Sequence, residues 1–302
     1  MAGTEGSLKE RLRRRWLLSN SLCTIRRRLP QTMTIGRYRI RLPIGSWLPE
    51  TVLRYPLVNT AIGKIADVLK GKHPDLHVID IGANGGDTAA IVRQSSDIPV
   101  LCIEGDKNIL PLLRENISRM GAGISIEPCF VGEEGKSVDL DKVSRPGLNA
   151  SMANAVSEKP NGIQLRSLEN ILLGHPEFAR AKLLKIDTEG YDFDIVLHSL
   201  GFIESTHPVI YFEYNPFEYN RGANPEEAIY GPRVIERLAA VGYAHFLYFD
   251  AFGHFLTRLT ARDDQVFRLH EYLRSNWSNG TAVPYFDICA IPTEDSDLQF
   301  GF

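Results

Sequence analysis

The sequence predicts an α/β protein in which a mostly parallel sheet carries helices on both faces. The main observation is a repeated exchange of short apolar β runs and helical stretches from about residue 75 onward. A second is the balance of the 302 residues, 43% hydrophobic and 24% charged, which is that of a chain able to bury a full core. Disordered, collagen-like and coiled-coil classes are thereby excluded. No apolar stretch approaches the ~18 residues of a membrane span, so a soluble protein is expected. Cys23, Cys102, Cys129 and Cys289 lie far apart with no C-x-x-C pair, which argues against a disulfide framework or a zinc site and for a reducing compartment.

Taken in order, the chain opens on a basic arm. Residues 1–41 hold Lys9 and ten arginines against Glu5 and Glu10, a net +9, and the remainder carries −12. An acidic body is unsuited to holding nucleic acid across its face. Arg11 to Arg28 brackets Trp16, Leu17, Leu18 and Leu22 with two arginine triplets. It lacks the longer apolar region and cleavage site of a secretory signal. It reads either as a solvated helix docking on the protein itself or on a second subunit, giving a homo-oligomer, or as a helix making peripheral contact with anionic membrane. Met33 to Ile44 alternates as a strand or hairpin, and Leu57 to Lys70 has helical apolar spacing.

Strands are expected at 77–81, 100–103, 124–131, 183–187, 209–213, 244–249 and 285–291, with helices near 87–94, 108–119, 167–173, 191–199, 226–240 and 263–275. Lys142 to Gly162 breaks the rhythm. It is rich in Gly, Asn, Ser and Pro, without an apolar period, and is long for a connection unless it serves as a lid or binding loop. The expected division is 1–74, the arm with a short β segment and helix, and 75–302, one α/β domain.

Ligands of such sheets sit at the carboxyl ends of the strands, and four strand ends carry chemistry. Val78 to Thr88 runs from an apolar strand through Asp80 into Gly82-Ala83-Asn84-Gly85-Gly86. Glycines let the backbone turn tightly and a ligand approach, while Asp80 and Asp87 around the turn would repel a pyrophosphate. They suit a cationic ligand such as S-adenosylmethionine. Glu104 ends the next strand at the place where an acidic side chain accepts both ribose hydroxyls of an adenosine ligand. LLKIDTEGY emerges into Asp187, Glu189 and Gly190, and VIYFEYNP into Glu213. So many carboxylates at one sheet edge call for a substrate hydroxyl to deprotonate or a divalent cation to hold. The alternative for Glu189 and Glu213 is that they bind loop N–H groups and only hold the strand ends. Tyr214 to Tyr219 is expected beyond the strand, where rings face carbohydrate or adenine.

VIDIGANGGDTA, CIEGD, LLKIDTEGYD and VIYFEYN, in this order, resemble the FkbM family of S-adenosylmethionine-dependent methyltransferases, and FDICAIP resembles that family's closing strand. The resemblance spans about residues 75–292. It implies a Rossmann-like class I methyltransferase sheet of seven strands, one antiparallel, and methylation of a hydroxyl on a sugar, glycolipid, polysaccharide or related natural product. The cofactor residues are then Asp80, Gly82, Ala83, Asn84, Gly86 and Thr88, with Glu104, Gly105 and Asp106 from the second strand end and Val131 from the third. Asp187, Glu189 and Glu213 are the catalytic candidates, and Asn149, Ser151, Tyr214 and Asn215 the substrate candidates. A cytoplasmic enzyme, associated with the membrane at its periphery through the arm, completes the expectation. The rivals are a dinucleotide-dependent oxidoreductase, against which the missing third-glycine spacing counts, and a non-catalytic cofactor-binding module.

Overall fold

The structure, a computed structural model, describes residues 24, 25, 27–139, 155–157, 162–188, 190–216, 230–279 and 283–302. An N-terminal hairpin pairs β1 (Gln31–Ile35) with β2 (Tyr38–Leu42), followed by α1 (Leu48–Arg54) and α2 (Thr60–Lys72). Then come β3 (Val78–Ile81), α3 (Asp87–Val92), β4 (Val100–Ile103), α4 (Leu110–Ser118) and β5 (Ile124–Glu127). β6 (Ser137–Val138), β7 (Val156–Ser157) and β8 (Ile163–Gln164) make a small antiparallel sheet. The chain continues through α5 (Leu168–Leu173), β9 (Leu183–Ile186), α6 (Asp192–His198), α7 (Leu200–Thr206), β10 (Val209–Tyr214) and α8 (Tyr230–Ala240). It closes with β11 (Tyr243–Asp250), β12 (Phe255–Leu259), α9 (Asp264–Asn279) and β13 (Phe286–Pro292).

The main sheet has the order β12-β11-β13-β10-β9-β3-β4-β5. Strands β5, β4, β3, β9 and β10 run parallel, and β13 lies antiparallel between β10 and β11. This is the expected Rossmann-like architecture with one correction: eight strands, not seven. The eighth, β12, is an edge strand that folds back on β11 through a turn in which Asp250 accepts from the N–H groups of Phe252 and His254 at 2.9 Å. FLTRL offers no apolar run at an edge with partly exposed side chains, so its pattern is weak. The short helices α1 and α7 were likewise not foreseen. Val156–Ser157 pairs as β7 inside the stretch expected to serve as a lid or binding loop, while residues 140–154 and 158–161 lie outside the described residues.

Side-chain alternation along the central strands builds two cores. Ile79, Ile81, Leu184, Ile186, Ile210, Phe212 and Tyr214 face one side, under α5 to α8. Val78, Leu183, Val209 and Tyr211 face the other, with α2, α3, α4 and the N-terminal hairpin. The buried Asn116 on α4 fixes that hairpin to the glycine turn. Its Oδ1 accepts from Arg41 N at 2.8 Å, and its Nδ2 donates to Arg41 O at 2.8 Å and Gly85 O at 2.7 Å. Residues 31–72 therefore share one core with the second face of the sheet. Among the described residues no helix is long and apolar enough to cross a membrane.

Candidate active site

On the second face the apolar stripes turn polar as they reach the carboxyl edge. Val78 gives way to Asp80, Leu183 to Lys185 and then Asp187, and Val209 to Tyr211 and then Glu213. β13 runs the other way, so Ile291 and Cys289 give way to Asp287. The register sets Asp80 beside Lys185, Lys185 beside Tyr211, and Glu213 beside Asp287. A polar band thus crosses four adjacent strands, one row of Asp80, Lys185 and Tyr211 and, nearer the edge, the pair Glu213 and Asp287.

Above it lies a cavity of about 330 Å³, within the size range of small-molecule sites. Its lining includes Gly82, Asn84, Asp87, Thr88, Glu104, Gly105, Asp106, Phe130, Val131, Lys185, Asp187, Thr188, Tyr211, Glu213 and Asp287. Leu42, Pro43, Ser46, Trp47, Leu48 and Thr51 close it on another side.

The glycine turn is held to both neighbouring strands. Gly82 N and Ala83 N donate to Ile103 O at 3.0 and 3.1 Å, and Asp187 N donates to Ile81 O at 3.0 Å. Gly82 sits at φ +79°, and a Cβ there would lie 1.9 Å from the carbonyl oxygen of Asp187. Glu104 spans the second strand end: Oε2 accepts from Asn84 N at 2.9 Å and Oε1 from Asp106 N at 2.7 Å. Burial raises its pKa against the pull of those two N–H groups. Each oxygen keeps further acceptor capacity toward the cavity.

Lys185 is buried in the middle of the row. Its Nζ lies 3.3 Å from Asp80 Oδ1 and 3.2 Å from Asp187 Oδ2. Burial works against the ammonium, but Asp187 and Asp80 hold its pKa above the ordinary lysine range. Asp80 is fully buried and, despite Lys185, burial pushes its carboxyl up to about 6. Asp287 is pushed to about 7, by burial first and by the charge of Asp187, while the Tyr211 hydroxyl donates to it and opposes the rise. Asp192 accepts from Thr188 N at 3.2 Å and Oγ1 at 3.0 Å, and burial raises it to about 7. It ties the loop after β9 to β10 through Glu213 N at 3.4 Å.

The Asp80 shift has a consequence for stability. A carboxyl raised from the ordinary 3.8 to about 6 opposes folding once ionised, so its cost is absent below 3.8 and complete above about 6. In urea denaturation, Asp80→Asn is expected to gain on the wild type by up to ~3 kcal/mol between about pH 4 and about pH 8. A difference that is flat with pH would mean that Asp80 is not the buried carboxyl that titrates.

Of the expected site residues, Gly82, Asn84, Thr88, Glu104, Gly105, Asp106, Val131, Asp187 and Glu213 line one cavity. Asp80, in β3, and Ala83 and Gly86, in the turn, are buried and do not line it. Tyr214 is corrected: it is the last residue of β10, on the opposite face from Glu213, and its hydroxyl meets His270 Nδ1 at 3.0 Å in the core. Asn215 is also buried, donating to Glu213 Oε1 at 3.1 Å, and does not line the cavity. Glu189, Asn149 and Ser151 lie outside the described residues. Lys185, Tyr211, Asp287 and the wall at 42–51 were missed. Among the described residues no three His, Cys, Asp or Glu side chains gather as a metal site, so the divalent cation finds no support. The positive charge between Asp80 and Asp187 is Lys185.

The profile of the Methyltransferase FkbM domain matches residues 80–266. Among solved structures, methyltransferase FkbM from Methylobacillus flagellatus is 19% identical, with a TM-score of 0.35, over 46% of this chain and 33% of that one. This chain thus spans about a third of that protein's length. Precorrin-6y C5,15-methyltransferase from Geobacter metallireducens is 11% identical over 72% and 80% of the two chains, with a TM-score of 0.35. Cofactor-bound Rv0187 from MTB is 13% identical over 76% and 78%, with a TM-score of 0.40. No curated protein matches the chain.

Proposed function

On the premise that this chain belongs to the FkbM methyltransferase family, we propose that it transfers a methyl group from S-adenosylmethionine to a hydroxyl oxygen of a sugar, glycolipid, polysaccharide or related natural product. The observation that carries this reading is the joining of the Gly82 turn, the Glu104 strand end and Asp187 in one cavity. The donor set fits the cofactor. Asp80 is a buried carboxylate whose Oδ1 faces the Lys185 ammonium at 3.3 Å and whose Oδ2 receives no hydrogen bond among the described residues, under a turn with no side chain at Gly82, Gly85 or Gly86. Glu104 turns a carboxylate toward the same space.

When bound, S-adenosylmethionine supplies a methyl group made electrophilic by its sulfonium. Glu104 would accept the ribose hydroxyls, and the Gly82 to Gly86 turn, backed by the buried Asp80, would hold the methionyl end. Asp187, paired with Lys185 at 3.2 Å yet open to the cavity, orients the acceptor hydroxyl and takes its proton. Fixing both reactants supplies much of the acceleration, since positioning alone is worth several kcal/mol. Three free cysteines among the described residues, Cys102, Cys129 and Cys289, support a cytoplasmic setting.

Thermal shift with S-adenosylhomocysteine and with NAD tests the cofactor, and transfer of label from S-adenosylmethionine to hydroxyl acceptors tests the reaction. Stabilisation by NAD alone would return the oxidoreductase. Glu104→Ala is expected to weaken S-adenosylhomocysteine by about 2 kcal/mol, the scale of lost charge-assisted hydrogen bonds, in calorimetry. Unchanged affinity would remove Glu104 from the ribose.

A further inference from the structure

The wall of the cavity at Leu42 to Thr51 also carries Ile44 and Trp47, whose side chains are 58% and 55% exposed. This wall is joined to the segment at Arg27. Gly45 N donates to Arg27 O at 2.7 Å, the Arg27 guanidinium lies 3.1 Å from the centre of the Trp47 ring, and its Nε donates to the buried Glu50 at 2.9 Å. The joined segment adds Ile25 and Leu29, 58% and 55% exposed. Single exposed apolar residues are ordinary, but four on two stitched segments form a surface that wants a partner.

The charge around this surface names the partner. Arg28 is exposed beside Leu29, and the first 41 residues hold a net +9 against −12 in the rest of the chain. Exposed apolar side chains that include a tryptophan, next to the exposed Arg28 and a basic chain segment, suit the boundary of an anionic bilayer. There arginines meet lipid phosphates, indoles sit at headgroup level, and aliphatic side chains reach the acyl region. We propose that Ile25, Arg28, Leu29 and residues 44–47 seat this protein on an anionic lipid bilayer, with the cavity opening beside the headgroups. The acceptor is then a hydroxyl compound carried on a lipid. This second step rests on the methyl-transfer reading, while the docking does not.

Flotation of the full chain with phosphatidylcholine vesicles, with and without phosphatidylglycerol, tests the docking. Binding is expected with phosphatidylglycerol at low salt, with loss at high salt and little binding to phosphatidylcholine alone. The triple variant Ile25→Ser, Leu29→Ser, Ile44→Ser should reduce binding at least ~tenfold while keeping the melting temperature and the shift with S-adenosylhomocysteine, because it removes only interfacial apolar area. With Trp16→Phe and Trp277→Phe in place, brominated acyl chains should quench Trp47. Absence of flotation with anionic vesicles overturns the proposal, as does unaltered flotation of the triple variant, which would leave the work to arm charge alone. A dimer in gel filtration that the triple variant disperses, without vesicle binding, would make this face an interface between two copies. Docking without any methyl transfer would defeat the catalytic reading and leave the surface standing.

Discussion

Gly82→Ala is expected to destabilise the protein by ~4 kcal/mol or more and to remove measurable binding of S-adenosylhomocysteine. Two effects add. At φ +79° an L side chain is strained, by roughly 1–2 kcal/mol for a left-handed residue. The new Cβ also falls 1.9 Å from Asp187 O and 2.8 Å from Asp187 C, which are backbone atoms with no rotamer to relieve them. The loop after β9 would have to leave, breaking the Asp187 N to Ile81 O bond and separating the carboxylate pair around Lys185. Gly121→Ala is the control. It has the same sign of φ, +85°, with nothing within 4 Å of a Cβ, so it should cost only the strain and leave binding alone. Urea denaturation with calorimetry on both variants decides. Equal behaviour of the two would mean that the turn is not packed against the third strand end.

Asp187→Asn is expected to keep cofactor affinity within a few fold while lowering turnover by 10²- to 10⁴-fold, the range for loss of a positioned proton acceptor. The amide keeps the shape beside Lys185 but cannot take the proton. Asp287 faces the same cavity with a carboxyl near 7, well matched to accepting a proton at neutral pH. Asp287→Asn is therefore the paired measurement. Retained turnover in Asp187→Asn, with loss in Asp287→Asn, would move the proton to β13. Parallel loss of turnover and cofactor affinity in Asp187→Asn would make it a cofactor or structural residue.

Strands β3, β4, β9 and β10 were legible because each is a short, buried, largely apolar run that ends at glycine or a carboxylate, as in VIDIG and VLCIEG. The glycine turn and Glu104 were legible for the same reason: they are local and sit where a strand stops. Lys185 was hidden by position, a cation inside the run LLKI whose partners come from β3 and from its own strand end. Asp287 was hidden by direction. Nothing local in FDICAIP says that the strand runs antiparallel and delivers its first residues, not its last, to the edge where the parallel strands end. Tyr214 was misplaced by one residue of strand length. Extending β10 to Tyr214 fixes the alternation, which sends Glu213 toward the cavity and Tyr214 to the opposite core. The wall at 42–51 comes from a segment before the fold's first parallel strand, and its short helix α1 is too brief to give a clear period.

The placement of β13 between β10 and β11 governs how the protein is born as well as how it works. A chain leaving the ribosome presents β10 and β11 long before the strand that joins them, so until residue 292 has emerged both keep a row of unmet N–H and C=O groups. Such open edges invite pairing with a neighbouring nascent chain. The β12 hairpin masks the outer edge of β11 in the meantime, leaving the inner gap as the exposed one. Vectorial synthesis thus makes insertion of the closing strand, and with it the arrival of Asp287 beside Glu213, the late step on which soluble yield and a finished cavity floor both depend.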